Sequence, residues 1–333
     1  MKSSTTCRPR CVLAPAFASA VFGTCIFVSW TLADVSIIKD VGYLEPGRTE
    51  TLDLYLPERT LLDPPAPAVL WIHGGGWMVG TKGETRAQKV CGTLAAAGYV
   101  CASVDYRLGE GSWPGNLYDC KNAIRFLRVH AADYHIDPKR LAVLGGSAGG
   151  HLALMVGFTT GEPGFEPSAP SPYPGVSSAV SAVVDFYGIT DLMTWQQPSS
   201  TGQVTGVPPK DISISATVFR ATREAYPELW RAASPVNHVT AATPPVLIVH
   251  GLVDPVIGYE QAQELDRILT AKGVPHELIL LEGVGHTFDL TTWNEKPLPY
   301  DLRPALLGFL GRYLGIPVHG IPVTSLPVSP RLH

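Results

Sequence analysis

Residues 141–150 read Leu-Ala-Val-Leu-Gly-Gly-Ser-Ala-Gly-Gly. The apolar run Leu141 to Leu144 suits a strand buried on both faces of a sheet. A helix is expected from about Ala148. Gly145-Gly146-Ser147-Ala148-Gly149 therefore fits G-x-S-x-G in the context that gives the motif meaning, with a strand before it and a helix after. A turn that tight leaves no room for bulk beside the serine, and it lifts the hydroxyl clear of the sheet. The amide of Ala148, at the helix start, points to where negative charge would develop on a substrate. Ser147 is the candidate nucleophile, set against a merely structural Gly-Ser turn.

Outward from this stretch, strands and helices alternate. Residues 35–41 and 50–56 suit two early strands, and Ala68 to Ile72 suits a third. A helix from about Glu84 to Ala97 ends at Gly98, a C-cap by position. Tyr99 to Val104 is the next strand. Between 115 and 131, Leu117, Cys120, Ile124, Leu127 and Ala131 step by threes and fours, which makes one buried helical stripe. Strands follow at Ala179 to Phe186, Pro245 to Val249 and Glu277 to Leu281. Helices are expected near 258–272, closed by Gly273, and near 299–314. The pattern predicts an α/β architecture: a mostly parallel sheet of about eight strands with helices on both faces. Two stretches, 161–175 and 195–225, interrupt it on the carboxyl side of strands, where such sheets build their sites. The second reads as a small lid or as an ordinary surface loop. Residues 315–333 are rich in proline and read as an irregular tail.

Composition narrows the function classes. The chain has 333 residues, 45% hydrophobic and 16% charged, with a net charge of -4, which excludes a disordered chain and a basic nucleic-acid binder. Lys2, Arg8 and Arg10 precede an uncharged stretch from Cys11 to Ala33. That order reads as a secretory signal over residues 1–33, cut after Ala33, or as a membrane anchor if uncut. The expected location is secreted or periplasmic, and the expected domain is 34–314. Six cysteines are too few for a disulfide scaffold. Cys91 and Cys101 either bond in an oxidising compartment or, with Cys120, serve as small buried apolar residues.

His73-Gly74-Gly75-Gly76-Trp77 follows the strand at 68–72. Three successive glycines let backbone amides approach an oxyanion unobstructed, so Gly75 and Gly76 join Ala148 as candidate donors. A phosphate cradle would need a following Gly-Lys-Ser/Thr, which is missing. His73 reads as a structural residue of this loop.

A serine hydroxyl needs a base. His286, in Gly285-His286-Thr287-Phe288 just after the last strand, is best placed; His151 shares the nucleophile's helix and reads as packing or site rim. The base needs a carboxylate to orient it. Asp254, in His250-Gly251-Leu252-Val253-Asp254-Pro255-Val256, follows a strand end and fits that task, ahead of Asp185 and Asp191. Chain order is then serine, acid, histidine. No zinc-type spacing and no G-x-G-x-x-G at a helix start are present, so no metal and no cofactor are expected.

With these residues in view, the chain resembles the α/β-hydrolase superfamily. It is similar to the HGGG-bearing carboxylesterases of the hormone-sensitive-lipase type, and more closely to the bacterial feruloyl and acetyl esterase-like branch. HGGGW at 73–77, VDYRL at 104–108, DCKNAIRFLR at 119–128 and IDPKRLAVLGGSAGGHLAL at 136–154 carry the resemblance, with VVDFYGITDL at 183–192, HGLVDPV at 250–256 and GVGHTF at 283–288. The resemblance implies an α/β-hydrolase fold from about 50 to 314 and a serine esterase acting on a small-molecule or oligosaccharide ester. It implies Trp77 as a wall of the acyl pocket, and Tyr106 and Arg107 as supports of their loop.

Three rivals stay open. The same triad serves amidases and arylformamidases. A prolyl-oligopeptidase-like peptidase shares the triad order, although such enzymes carry a propeller and usually a tyrosine where this chain has Ala148. A binding protein can also keep the fold without the chemistry.

Overall fold

The computed structural model describes residues 35–58, 63–166, 171–195 and 216–316. The expected signal at 1–33, most of the expected lid and nearly all of the expected tail lie outside these residues.

One eight-stranded sheet organises the chain. Its strands are β1 (Ser36–Gly42), β2 (Thr51–Leu56), β3 (Ala66–Ile72), β4 (Val100–Val104), β5 (Ile136–Gly146), β6 (Ala182–Phe186), β7 (Val246–Gly251) and β8 (His276–Leu281). Their spatial order is β1-β2-β4-β3-β5-β6-β7-β8. β2 runs antiparallel to both β1 and β4, and the pairs from β4 to β8 are parallel. All seven residues of β3 are buried, as a central parallel strand covered on both sides requires.

Side chains alternate across the sheet and sort the core into two layers. Ala68, Leu70 and Ile72 of β3 join one apolar cluster, and Val69 and Trp71 join the other. The first cluster is covered by α2 (Gly115–Val129), α3 (Ala148–Phe158) and α5 (Glu260–Lys272). The second is covered by α1 (Thr85–Ala96) and α6 (Arg303–Leu314). A further helix, α4 (Pro227–Ala232), buries Trp230. Each large side chain removed from water this way contributes about 1.5–3 kcal/mol. The stripe expected on α2 is buried throughout. Gly98 and Gly273 take positive φ at the ends of α1 and α5, where a residue with a Cβ would be strained.

Several boundaries differ from the sequence reading. β5 begins five residues before Leu141, because Ile136 pairs with Ala66 although Pro138 to Arg140 carry no apolar signal. The last helix starts at Arg303 rather than 299, with Pro304 in its first turn, where a missing N–H costs nothing. A hairpin after β8 was not expected: β9 (Thr292–Trp293) and β10 (Lys296–Pro297) pair antiparallel around Asn294 and Glu295, both at positive φ. Of the stretch 195–225, residues 216–219 are helical, and Val218 and Phe219 are buried against the first core layer. Cys91, Cys101 and Cys120 are buried and unbonded. Among the described residues, no helix is long and apolar enough to cross a membrane.

Candidate active site

Ser147 stands between β5 and α3 at φ 58° and ψ −123°, a conformation costly for any residue with a side chain. The surroundings hold it there. Its amide donates to the carbonyl of Phe186 at 2.9 Å, and its carbonyl accepts the amide of His151 at 3.0 Å. A Cβ on Gly149 would sit 2.1 Å from the carbonyl oxygen of Ile72, so the helix start presses directly on β3. That close approach is what the glycines of the motif permit.

Three side chains that are distant in sequence meet at this turn. Nε2 of His286 lies 2.9 Å from Oγ of Ser147, and Nδ1 of His286 lies 2.6 Å from Oδ2 of Asp254. Asp254 follows β7, and His286 follows β8, so both reach the serine from the carboxyl ends of the sheet. Oδ1 of Asp254 accepts the amides of Val256 at 2.8 Å and Ile257 at 3.0 Å. Burial alone would raise this carboxyl. Hydrogen bonds from His250 and His286 outweigh it and hold Asp254 well below the usual carboxylate range. Neither Asp185 nor Asp191 approaches His286: Asp185 bonds the amide of Gly188, and Asp191 closes a turn on the amide of Met193.

The His-Gly-Gly-Gly loop lies against the serine. A Cβ on Gly74 would come 3.3 Å from Cβ of Ser147. Gly75 takes φ +104°, and its carbonyl accepts the amides of Met78 and Val79, which curls the loop. A side chain at Gly75 would collide with the carbonyl of Val79 at 2.0 Å. Ala148 opens α3, so its amide is among the helix's first N–H groups and lacks an intrahelical acceptor. His73 is fully buried, with Nδ1 donating to the carbonyl of Gly74 at 2.7 Å and its ring stacked on Tyr106 at 4.4 Å. The Tyr106 hydroxyl donates to the His73 carbonyl, and Arg107 is fixed by Asp119. These contacts give Tyr106 and Arg107 the supporting positions expected of them.

The expectation for Trp77 needs correction. Its ring is 1% exposed, set edge-on to His151 at 5.1 Å and against Phe219 at 6.3 Å. It packs into the interior and offers no open pocket face. His151 is buried as well, and burial lowers its imidazole to about 4, so it is neutral near pH 7.

Two contacts on the base escaped the sequence reading. The ring of Tyr187 meets the His286 imidazole edge to face at 4.8 Å, and its hydroxyl donates to the carbonyl of Phe288 at 2.8 Å. Trp293, on the unexpected hairpin, donates from Nε1 to the carbonyl of His286 at 2.9 Å. An aromatic residue just past the end of β6 was the available signal for Tyr187. Among the described residues, no group of three or more His, Cys, Asp or Glu is arranged to hold a metal ion.

This arrangement has the geometry to move a proton from a hydroxyl to an imidazole whose orientation a carboxylate fixes. Comparison with known proteins relates the chain to esterases. The sequence model of the BD-FAE family matches residues 52–269. Esterase LipC of Mycobacterium tuberculosis (strain ATCC 25618 / H37Rv) is 35% identical over 228 residues, covering 68% of this chain and 54% of LipC. The chain thus spans about half the length of this curated relative. Among solved structures, a truncated carbohydrate esterase from gut microbiota superposes with a TM-score of 0.70 at 26% identity, over 84% of this chain and 97% of that one. An acetyl ester-xyloside bifunctional hydrolase from Caldicellulosiruptor lactoaceticus gives a TM-score of 0.60 at 26% identity, over 73% of this chain and 81% of that one.

Proposed function

The chain belongs to the BD-FAE family of α/β-hydrolase esterases, and from that premise we propose that it is a serine hydrolase cleaving carboxylic esters through an acyl-enzyme. One observation carries the reading: hydroxyl, imidazole and carboxylate lie in line, 2.9 and 2.6 Å apart. In the first step Nε2 of His286 takes the proton of Ser147 as Oγ attacks the ester carbonyl. Asp254 stabilises the imidazolium that results. The amides of Gly75, Gly76 and Ala148 take the oxyanion, each donor being worth a factor on the order of 10²–10³ in rate. The intermediate expels the alcohol, which leaves with the proton from His286. Water then repeats the attack on the acyl-enzyme, with His286 again as base, and frees the acid and the serine.

Acetyl or feruloyl esters of carbohydrate fragments are the proposed substrates. Support comes from the names of the two similar solved structures, a carbohydrate esterase and an acetyl ester-xyloside hydrolase. Export belongs to the same reading and is supported by the basic start and the uncharged run from Cys11 to Ala33.

The test is a panel of 4-nitrophenyl acetate, butyrate and octanoate, methyl ferulate, acetylated xylan and N-formylkynurenine. Wild-type protein is expected to turn over the short esters. Ser147→Ala is expected to lower kcat by about 10⁴-fold or more. Ester turnover that survives Ser147→Ala would refute the mechanism, and turnover of the formamide alone would make the protein an amidase. Amino-terminal sequencing of the exported chain tests cleavage, with Asp34 as the expected first residue.

A further inference from the structure

The acid of the triad sits in a loop whose main chain is held by a side chain that the acyl-transfer steps do not use. Oδ1 of Asp254 accepts the amides of Val256 at 2.8 Å and Ile257 at 3.0 Å. The carbonyl of Val256 and the amide of Ile257 are the two ends of one planar peptide unit, and they point in opposite directions. Nε1 of Trp195 donates to that carbonyl at 3.3 Å. The indole therefore fixes the far end of the peptide whose N–H reaches the carboxylate. Accepting a hydrogen bond at its oxygen also polarises the peptide and strengthens its N–H as a donor.

Trp195 is itself firmly placed. It is 3% exposed, in the turn that follows β6, and its amide donates to the carbonyl of Asp191 at 2.9 Å. That turn hangs on Gln261, a buried side chain in the first turn of α5. Oε1 of Gln261 accepts the amides of Thr190 at 2.9 Å and Asp191 at 2.8 Å, and its Nε2 donates to Oγ1 of Thr194 at 3.1 Å. α5 is also the helix into which the Asp254 loop leads. The contacts thus close a ring: from Asp254 to the start of α5, across Gln261 to the turn, and back through Trp195 to Val256. β6 lies between β5 and β7 in the sheet, and the carbonyl of Phe186 at its end accepts the amide of Ser147. One strand end is therefore bonded to the nucleophile's turn directly and to the acid's loop through Trp195.

We propose that Trp195 is a positioning residue for Asp254. Its indole N–H holds the peptide unit that donates to the carboxylate, and Gln261 sets the turn that brings the indole there. With Oδ1 held in this way, Oδ2 stays aimed at Nδ1 of His286. The inference rests on the acyl-transfer reading, in which Asp254 orients the base.

Three variants of the full chain test it: Trp195→Phe, Gln261→Leu and, as a control, Trp230→Phe. Trp230 is a buried tryptophan whose Nε1 donates to the carbonyl of Ala221 at 3.1 Å, away from the acid loop. The two phenylalanine variants each keep a ring and lose one indole bond to a backbone carbonyl, so their melting temperatures should fall by similar amounts. The decisive readouts are kcat and KM on 4-nitrophenyl acetate, and the low-field proton NMR signal of the His286–Asp254 hydrogen bond. Trp195→Phe is expected to lower kcat about 3- to 10-fold while KM stays within about twofold, because the loss is one of alignment. Its low-field signal should shift or broaden. Trp230→Phe should keep kcat within about twofold of wild type and leave the signal in place. Gln261→Leu, which frees the turn, should behave like Trp195→Phe. A wild-type kcat with an unmoved signal in Trp195→Phe would overturn the proposal. Equal changes in the two phenylalanine variants would overturn it too, since the effect would then be one of general packing. If Gln261→Leu does not fold, the two phenylalanine variants decide by the same readouts. Failure of the acyl-transfer reading is separately visible as an inactive wild type, and the NMR arm then still tests the hold of Trp195 on the acid loop.

Discussion

The indole nitrogen of Trp293 donates to the backbone carbonyl of His286 across 2.9 Å. The general base is thus tied down through its own main chain by a residue seven positions later. The tie is itself anchored. The carboxylate of Asp289 accepts the amides of Thr291 and Thr292, both at 2.7 Å, and the ammonium of Lys89 on α1 at 2.7 Å. The hairpin that carries Trp293 therefore cannot swing without breaking a charged contact to α1. On the other side, Tyr187 holds the same loop through the carbonyl of Phe288. The base loop is fastened at two carbonyls by two aromatic donors.

Trp293→Phe keeps a ring and removes the donor. The carbonyl of His286 loses its partner, at a cost of about 1 kcal/mol. Small misplacements of a base are expensive, so kcat is expected to fall about 3- to 10-fold with KM little changed. Steady-state kinetics on 4-nitrophenyl acetate checks this. A wild-type kcat in the variant would show that the tie does not matter.

Gly149→Ala should be far more severe. The added methyl would sit 2.1 Å from the carbonyl oxygen of Ile72 and 2.5 Å from that of His73, both backbone atoms. Either α3 or the His-Gly-Gly-Gly loop has to move. Overpacking of this kind costs about 1–3 kcal/mol, and the shift separates Ala148 from Gly75 and Gly76. The expected result is a folded protein of lower melting temperature with kcat down by about 10²-fold or more, the loss of an aligned oxyanion donor. Circular dichroism melts and kinetics measure the two effects separately.

How far the sequence spoke depended on whether a demand was local. Ser147, Asp254 and His286 each sit just beyond a strand, flagged by glycines or by a short apolar run, so their elements and order could be read directly. The alternation of strands also predicted the parallel sheet with both faces covered. What could not be read depends on where distant segments land. Tyr187 acts by reaching Phe288, and nothing around Tyr187 announces that contact. β9 and β10 are two residues each, too short to show any period. Pro138 to Arg140 lie inside β5 between the paired Ile136 and Leu141, where the register slips, and carry no apolar signal. Only the family resemblance puts Trp77 on a pocket wall. Only the packing of His151 and Phe219 around its ring shows that it belongs to the interior.

Asp119 gathers the VDYRL segment to the rest of the domain. Its carboxylate is almost wholly buried and accepts from both guanidiniums, Arg48 at 2.9 Å and Arg107 at 2.8 Å, and from the amide of Arg107 at 3.0 Å. The two arginines are partly solvated, which tempers the penalty for losing their partner. Asp119→Ala is expected to cost about 2–4 kcal/mol, lowering the melting temperature by roughly 5–12 °C for a domain this size. Arg48→Ala, which leaves Arg107 to satisfy the carboxylate, should cost about half as much. A thermal melt in which the two variants are equal would place the stabilisation elsewhere.

Asp185 makes stability fall with pH. Its carboxyl is pushed up by burial to about 7 in the folded chain, against an ordinary value of 3.8. Between these values the folded state holds the proton and the unfolded state does not. By linkage, stability then declines as pH rises through that window. Each unit of difference is worth about 1.4 kcal/mol, so the whole window accounts for a few kcal/mol at most. Asp185→Asn removes the titration while keeping the shape and the bond to the amide of Gly188. Urea unfolding at pH 5 and pH 8 should show wild type losing more stability than Asp185→Asn across that interval, with the variant the more stable of the two at pH 8. Parallel stability profiles for the two proteins would mean that the carboxyl is already ionised at pH 5, and that burial is compensated at Oδ2 by a contact other than a proton.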